Sequence, residues 1–306
     1  MDVMNFLKST FRRTNKNWIL LIVEFITGLI MVPVMIIGIA LPAIIIIVPA
    51  ISSGYEAEDF LSYILSIENI ILVLLGVLVF LIFLLFVLLI WAFVAGGIRA
   101  SLLDSILKEK KFEMKTFMEN CKKFFGRIVG LWSLVGLVYC GAFVVLGGIG
   151  GVIALFAVAM SENSEPGAIL LGLLGGGFVF LLLALIGFVI GIYLAIANTY
   201  LIVEDAQVKE TIRGTNRFLK KNIGHTLLVV VLLFAIGFGV GLVYAFVTMP
   251  LTMIPYVGGL FSIMLSPIQI ALNLYLTLFG SVGYLLLILW KRKKIGSDFQ
   301  TVTKPE

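Results

Sequence analysis

The sequence predicts an all-α integral membrane protein with six transmembrane helices, and three observations carry that prediction. Of its 306 residues 61% are hydrophobic and only 13% are charged, with a mean hydropathy of +1.17, which no ordinary soluble domain shows. Six apolar stretches, at about 18–50, 69–94, 128–160, 168–203, 226–254 and 262–290, each reach the roughly 20 residues that carry a helix across about 30 Å of hydrocarbon. They are continuous runs rather than alternating ones, which indicates helices and not a β-barrel.

Charge supplies the third observation. The 22 lysines and arginines fall as four in 1–17, eight in 96–127, five in 204–225 and five in 291–306. The connectors 51–68, 161–167 and 255–261 carry none, and the first two hold Glu56, Glu58, Asp59, Glu68, Glu162 and Glu165. By the positive-inside rule both termini and the two basic connectors are cytoplasmic, as expected for a multi-pass protein of the cell membrane. The net charge of +5 is thus a sidedness signal, and nothing points to nucleic acid.

The chain reads as one polytopic domain ending in a basic cytoplasmic tail, 291–306. Within residues 1–13, Val3, Met4, Leu7 and Phe11 share a helical face opposite Asn5, Ser9 and Arg12, the pattern of a helix lying in the inner interface. The apolar run that follows is too long for a cleaved signal and is read as a retained first span. That span contains Pro33, Pro42 and Pro49, so a kink or an outward-bending final third is expected. The second span, dense in Leu, Val, Ile and Phe, should face lipid more than the others. In the connector 101–125, Met114, Phe117, Met118, Cys121 and Phe125 share a face.

The third span places Ser133, Gly136, Cys140, Gly147, Gly151 and Ala154 on one face, and the fourth places Gly172, Gly176, Gly187, Gly191 and Asn198 on one face. Small residues so spaced let membrane helices approach closely, so these two faces are expected to pack together. Next, Asp205 is positioned as an N-cap of a helix with Val208, Ile212, Thr215 and Leu219 on one side and Glu210, Arg213 and Arg217 on the other. Aligning Arg12-Arg13, Lys122-Lys123 and Lys220-Lys221 gives offsets of 110 and 98 residues. Three repeats follow, each a cytoplasmic interfacial amphipathic helix and a transmembrane hairpin.

No catalytic constellation, cofactor motif or metal-ligand set is present. The lone histidine, His225, and the acids Glu204 and Asp205 have no convergent partners in the sequence, so an enzyme is not expected. Cys121 and Cys140 lie roughly 28 Å apart along a helix, too far for a disulfide, and Cys121 is expected to be open to thiol reagents from the cytoplasm. Six residues stand out as candidates for a polar cavity or for interhelical bonding. Glu24 is an acid well inside the first span, either functional or paired with Arg99 near the end of the second. Asn198 belongs to the small-residue face of span four. Gln269, Asn273 and Thr277 lie in a polar stripe on span six with Ser262, Ser266, Gly280 and Tyr284, and such a stripe must face protein or water. Lys291-Arg292-Lys293-Lys294 reads as a topological stop or as a contact to anionic lipid.

The stretch Leu201-Ile202-Val203-Glu204-Asp205, followed by Glu210-Thr211 and Arg217-Phe218-Leu219-Lys220-Lys221-Asn222, together with the six-span layout, resembles a group of prokaryotic six-helix membrane domains. It includes the membrane domain attached to some glycerophosphoryl diester phosphodiesterases. The catalytic barrel of those enzymes is absent, so the resemblance implies a membrane architecture and no enzymatic residue. The function expected from the sequence is binding or movement of a lipid or small amphipathic molecule; the alternative is a structural or assembly protein. The partners expected are membrane lipids, above all the anionic inner leaflet, and either a membrane-protein partner or a second copy of the chain.

Overall fold

The computed structural model describes residues 1–52, 66, 69–161, 165–254, 258–296 and 299. Seven helices follow in order: α1 (Val3–Lys16), α2 (Ile19–Ser52), α3 (Ile70–Leu107), α4 (Met114–Ser161), α5 (Glu165–Val203), α6 (Val208–Thr252) and α7 (Gly258–Lys291). The last six are each long and apolar enough to cross a membrane, so the protein is a multi-pass α-helical membrane protein. Its acidic connectors, with Glu56, Glu58, Asp59, Glu68 and Glu162, lie outside the described residues.

Helix α1 begins where Asp2 accepts hydrogen bonds from the Met4 and Asn5 amides at 3.0 and 3.3 Å, satisfying donors that a helix start leaves orphaned. The face it turns inward is Phe6, Ser9, Thr10 and Thr14, away from the Met4 and Phe11 side. Met4 and Phe11, 61% and 56% exposed, face outward, while Ser9 is buried. Helix α7 packs on the small-residue face, and the apolar face is left to the surroundings. The buried threonines remain satisfied by donating to their own helix, Thr10 to Phe6 O and Thr14 to Thr10 O, both at 2.8 Å.

The three amphipathic segments are joined to their spans differently. Asn17 and Trp18 form a turn between α1 and α2. The connector 101–125 is no separate helix: α3 continues to Leu107, a turn follows at Lys108 and Glu109, and α4 then runs unbroken from Met114 into the third span. Its buried face is Phe117, Cys121 and Phe124 rather than Met114 and Met118, which are exposed. Cys121 is fully buried, so it is no labelling handle. In α6 the break falls at Asn222, with φ −126° and ψ 26°. Its side-chain amide donates to Phe218 O at 3.0 Å, a carbonyl claim that bends helices. Helix α2 stays helical through all three prolines.

Neighbouring spans pack antiparallel: Gly38 meets Phe83 across α2–α3, Gly150 meets Val179 across α4–α5, and Tyr244 Oη donates to Leu265 O at 3.1 Å across α6–α7. The core sits at the end that carries the cations, the basic end. There α7 is the hub, since Leu285, Leu286, Leu287, Ile288 and Leu289 all have zero exposure, and only a helix enclosed on every side buries five successive residues. Around it stand Phe6 of α1, Leu20 of α2, Leu102 and Ile106 of α3, Phe117 of α4, Ile196 and Val203 of α5, and Val229 of α6. The chain after α7 returns into the same core through Ile295 and Phe299, the latter edge-on to Phe6 at 5.4 Å.

The opposite end is different. Beyond Val135, α4 buries none of its described side chains, and α5 buries only Val179 before Ile196. The third span, rather than the second, is therefore the most exposed to lipid. The expected face-to-face packing of glycines is also corrected. Among the glycines, Gly150, Gly175 and, from the predicted face, Gly187 sit at the α4–α5 contact, against Val179, Ile153 and Tyr139, whereas a Cβ at Gly136, Gly147, Gly151, Gly172, Gly176 or Gly191 would meet nothing within 4 Å. Both faces of each helix are apolar, so no hydrophobic contrast marks the buried one.

Candidate functional site

The six candidate residues fall in three separate places. Glu24 on α2 is 4% exposed and lies close enough to Arg99 on α3 for the two charges to act on each other. Among the described residues they make no ion pair within 4.0 Å. Arg99 instead donates to Ala95 O of its own helix at 3.4 Å, and its Nε is buried without a hydrogen-bond partner. The two charges thus share a low-dielectric environment, where their attraction offsets part of the cost of burial.

Asn198, 3% exposed, accepts a hydrogen bond from Trp132 Nε1 at 3.1 Å. It is an interhelical tie between α5 and α4. Gln269, Asn273 and Thr277 are exposed on α7. Thr277 donates to Asn273 O within the same helix at 2.9 Å, and no hydrogen bond joins these three side chains to another described helix. Interhelical bonding therefore does not account for the stripe.

A groove that the sequence reading did not assemble lies between α1, α6 and α7. Leu7 and Phe11 form one wall, Ile236 and Val240 a second, and Leu272, Leu276 and Phe279 the third, enclosing about 350 Å³. Every lining surface is apolar except at one margin, where Tyr275 Oη donates to Asn15 Oδ1 at 2.9 Å. Phe11 and Tyr275 meet edge-on at 6.3 Å. By helical spacing Lys8 and Asn15 share the α1 face that carries Leu7 and Phe11. The outward Met4-Leu7-Phe11 pattern was the available signal. Its partner Tyr275, 260 residues from Asn15, was not legible from local periodicity.

The turn between α5 and α6 gathers the charges at the basic end. Ala206 N donates to Leu201 O at 3.0 Å and Asp205 N to Ile202 O at 3.4 Å, closing α5 with Asp205 in the left-handed region at φ 50°, which aspartate tolerates better than most residues. Asp205 is not the N-cap of α6; Gln207 takes that position in a capping box with Glu210. The Asp205 carboxylate instead receives Lys123 at 2.7 Å and Arg127 at 2.6 Å. The hydrogen bond from Lys123 is the main reason its carboxyl lies below the usual carboxylate range; burial opposes this, and the Arg127 bond and the two positive charges add to it. Glu204 faces Arg292 at 3.4 Å and Lys294 at 3.6 Å. Arg292 also donates to the Tyr200 hydroxyl, and Lys294 to Val203 O at 3.1 Å. Arg292 and Lys294 of the basic run are thus engaged within the protein, a structural role that the sequence reading did not foresee. His225 packs edge-on against Trp290 at 5.3 Å.

No known protein family, curated protein or solved structure matches this chain.

Proposed function

We propose that this membrane protein binds the acyl chain of a membrane lipid in the groove between α1, α6 and α7. The observation that carries the reading is the groove itself. It is apolar on three walls, within the 300–1,000 Å³ range of ligand sites, and edged by the Tyr275–Asn15 hydrogen bond and the α1 face that presents Lys8. That arrangement suits a molecule with an apolar chain and a polar end, and a bilayer supplies such molecules in excess. Helix α1 lies along the interface with its basic residues toward the cytoplasm, in keeping with the distribution of Lys and Arg. Photo-crosslinking with a phospholipid carrying a diazirine in its acyl chain tests this. Adducts on peptides containing Phe11, Val240 or Leu276 are expected, and adducts spread evenly over the exposed faces of α4 and α5 would count against a defined site.

A second reading rests on a different observation. Gln269, Asn273 and Thr277 are exposed on a spanning helix, and polar side chains there are stabilised by protein or water and not by lipid. They suit contact with a second membrane protein or another copy of the chain. Disulfide trapping of Asn273→Cys in a Cys140→Ser background is expected to give a covalent dimer if a second copy provides that contact.

A further inference from the structure

Several cations at the basic end are held within the protein. Arg13 donates to Ile106 O and Phe299 O, Lys123 and Arg127 grip Asp205, and Arg292 and Lys294 face Glu204. One group differs. Arg213, Arg217, Lys220 and Lys221, with Asn216, surround an open depression on α6 and make no ion pair or hydrogen bond to any described residue. Spaced at i, i+4, i+7 and i+8, they share one helical face, and all four are exposed. The nearest acid on the helix, Glu210, is turned to the start of α6, where it accepts from Gln207 N at 3.2 Å.

Beyond the bend at Asn222 the exposed residues of α6 change at once to Ile223, Leu227, Leu228, Val231 and Phe234. Ile223 lies only three residues beyond Lys220. A face of four uncompensated cations therefore runs directly into a lipid-facing apolar face of the same helix. We infer that this junction is a binding site for the phosphate headgroup of an anionic membrane phospholipid, with the depression around Asn216 receiving the phosphate and the lipid chains lying along Ile223 and Leu227. Charge complementarity selects the anionic headgroup, and continuity with the apolar face selects a lipid over a free anion. The site is separate from the groove between α1, α6 and α7, but it deepens the same lipid-binding reading.

The test is native mass spectrometry of the full-length protein in mild detergent, offered equal amounts of phosphatidylglycerol and phosphatidylcholine. The wild type is expected to retain phosphatidylglycerol preferentially. Arg217→Gln/Lys221→Gln should weaken that retention by roughly thirtyfold, each surface cation contributing about 1 kcal/mol. The charge-matched control Lys111→Gln/Lys115→Gln should retain it like the wild type, and Leu272→Trp, which fills the separate groove, should keep the preference. Equal loss in both double variants would reduce the effect to net charge and overturn the site, as would no loss in either. Displacement of the lipid by excess inorganic phosphate would overturn the lipid assignment in favour of a free anion. Loss of the preference in Leu272→Trp alone would assign the lipid to the groove and overturn the α6 site while leaving the broader reading intact.

Discussion

Arg13 donates a hydrogen bond from Nη2 to the carbonyl oxygen of Phe299 at 3.1 Å, joining positions 286 residues apart. Its other terminal nitrogen donates to Ile106 O at 3.3 Å. One guanidinium on α1 therefore holds the end of α3 and the segment after α7, while the Phe299 ring packs on Phe6 and Trp290. Ile295 and Phe299 are thus part of the core. Phe299→Ala should lower stability by roughly 3–5 kcal/mol, the usual range for emptying a buried aromatic site. Thermal unfolding in detergent measures it; an unchanged midpoint would show that the segment does not dock.

Close approach of α3 and α4 depends on Gly97, where a Cβ would run into Cys121 Sγ and the Phe117 ring. Gly136 faces open space. Gly97→Ala should be strongly destabilising, by about 1–3 kcal/mol as in overpacked cores. Gly136→Ala should be neutral or stabilising by up to about 1 kcal/mol, because alanine loses less backbone entropy in a helix. The same unfolding assay ranks the two, and the opposite order would move the packed face of α4.

The bridges at Asp205 make a pH-dependent contribution. Its folded pKa is depressed, by the Lys123 hydrogen bond first, so its stabilisation is complete above the unfolded carboxyl value of about 3.9. It is lost as pH falls through the lower folded value. With the side chain 53% exposed, solvent screening holds the contribution to about 1 kcal/mol or less. Asp205→Asn should be less stable than the wild type at neutral pH, and the difference should vanish in strong acid. A gap constant down to that pH would show that the carboxylate charge is not what matters.

The tie between Trp132 and Asn198 predicts a smaller effect. Trp132→Phe removes the indole donor and leaves Asn198 Oδ1 without its partner, at a cost of about 0.6–1.5 kcal/mol. Asn198→Leu should cost a similar amount. A double-mutant cycle with no coupling would separate the two residues.

Much of the architecture was legible because hydropathy and cation placement vary strongly along the chain. The spans, their antiparallel order and the gathering of Lys and Arg at one end follow from runs such as 70–94 and from pairs such as Lys122-Lys123. What stayed hidden depends on contrast around a helix rather than along it. The surfaces of α4 and α5 are apolar on all sides, so Gly150 and Gly136 look equivalent until a neighbour is placed. At the sites, Glu24 and Arg99 were readable as neighbours from their common depth, and Asn198 as a packing group. The groove was not, because Phe11 and Tyr275 come from opposite ends of the sequence. The acids Glu204 and Asp205 look unpartnered in sequence for the same reason, and the fold brings four cations to them.

Sidedness is tested at the turn after α3. In a Cys121→Ser/Cys140→Ser background, the exposed Lys110→Cys should react with a membrane-impermeant maleimide only after the cells are opened. Labelling of intact cells would invert the orientation.

The lipid groove is tested most directly by weighing what the protein carries. Native mass spectrometry of gently extracted wild type should show one bound lipid more than Leu272→Trp, which has the groove filled, keeps any lipid held at α6 and unfolds at the same temperature. A wild type that emerges lipid-free, or a variant that carries the same lipid to the same extent, would contradict the account.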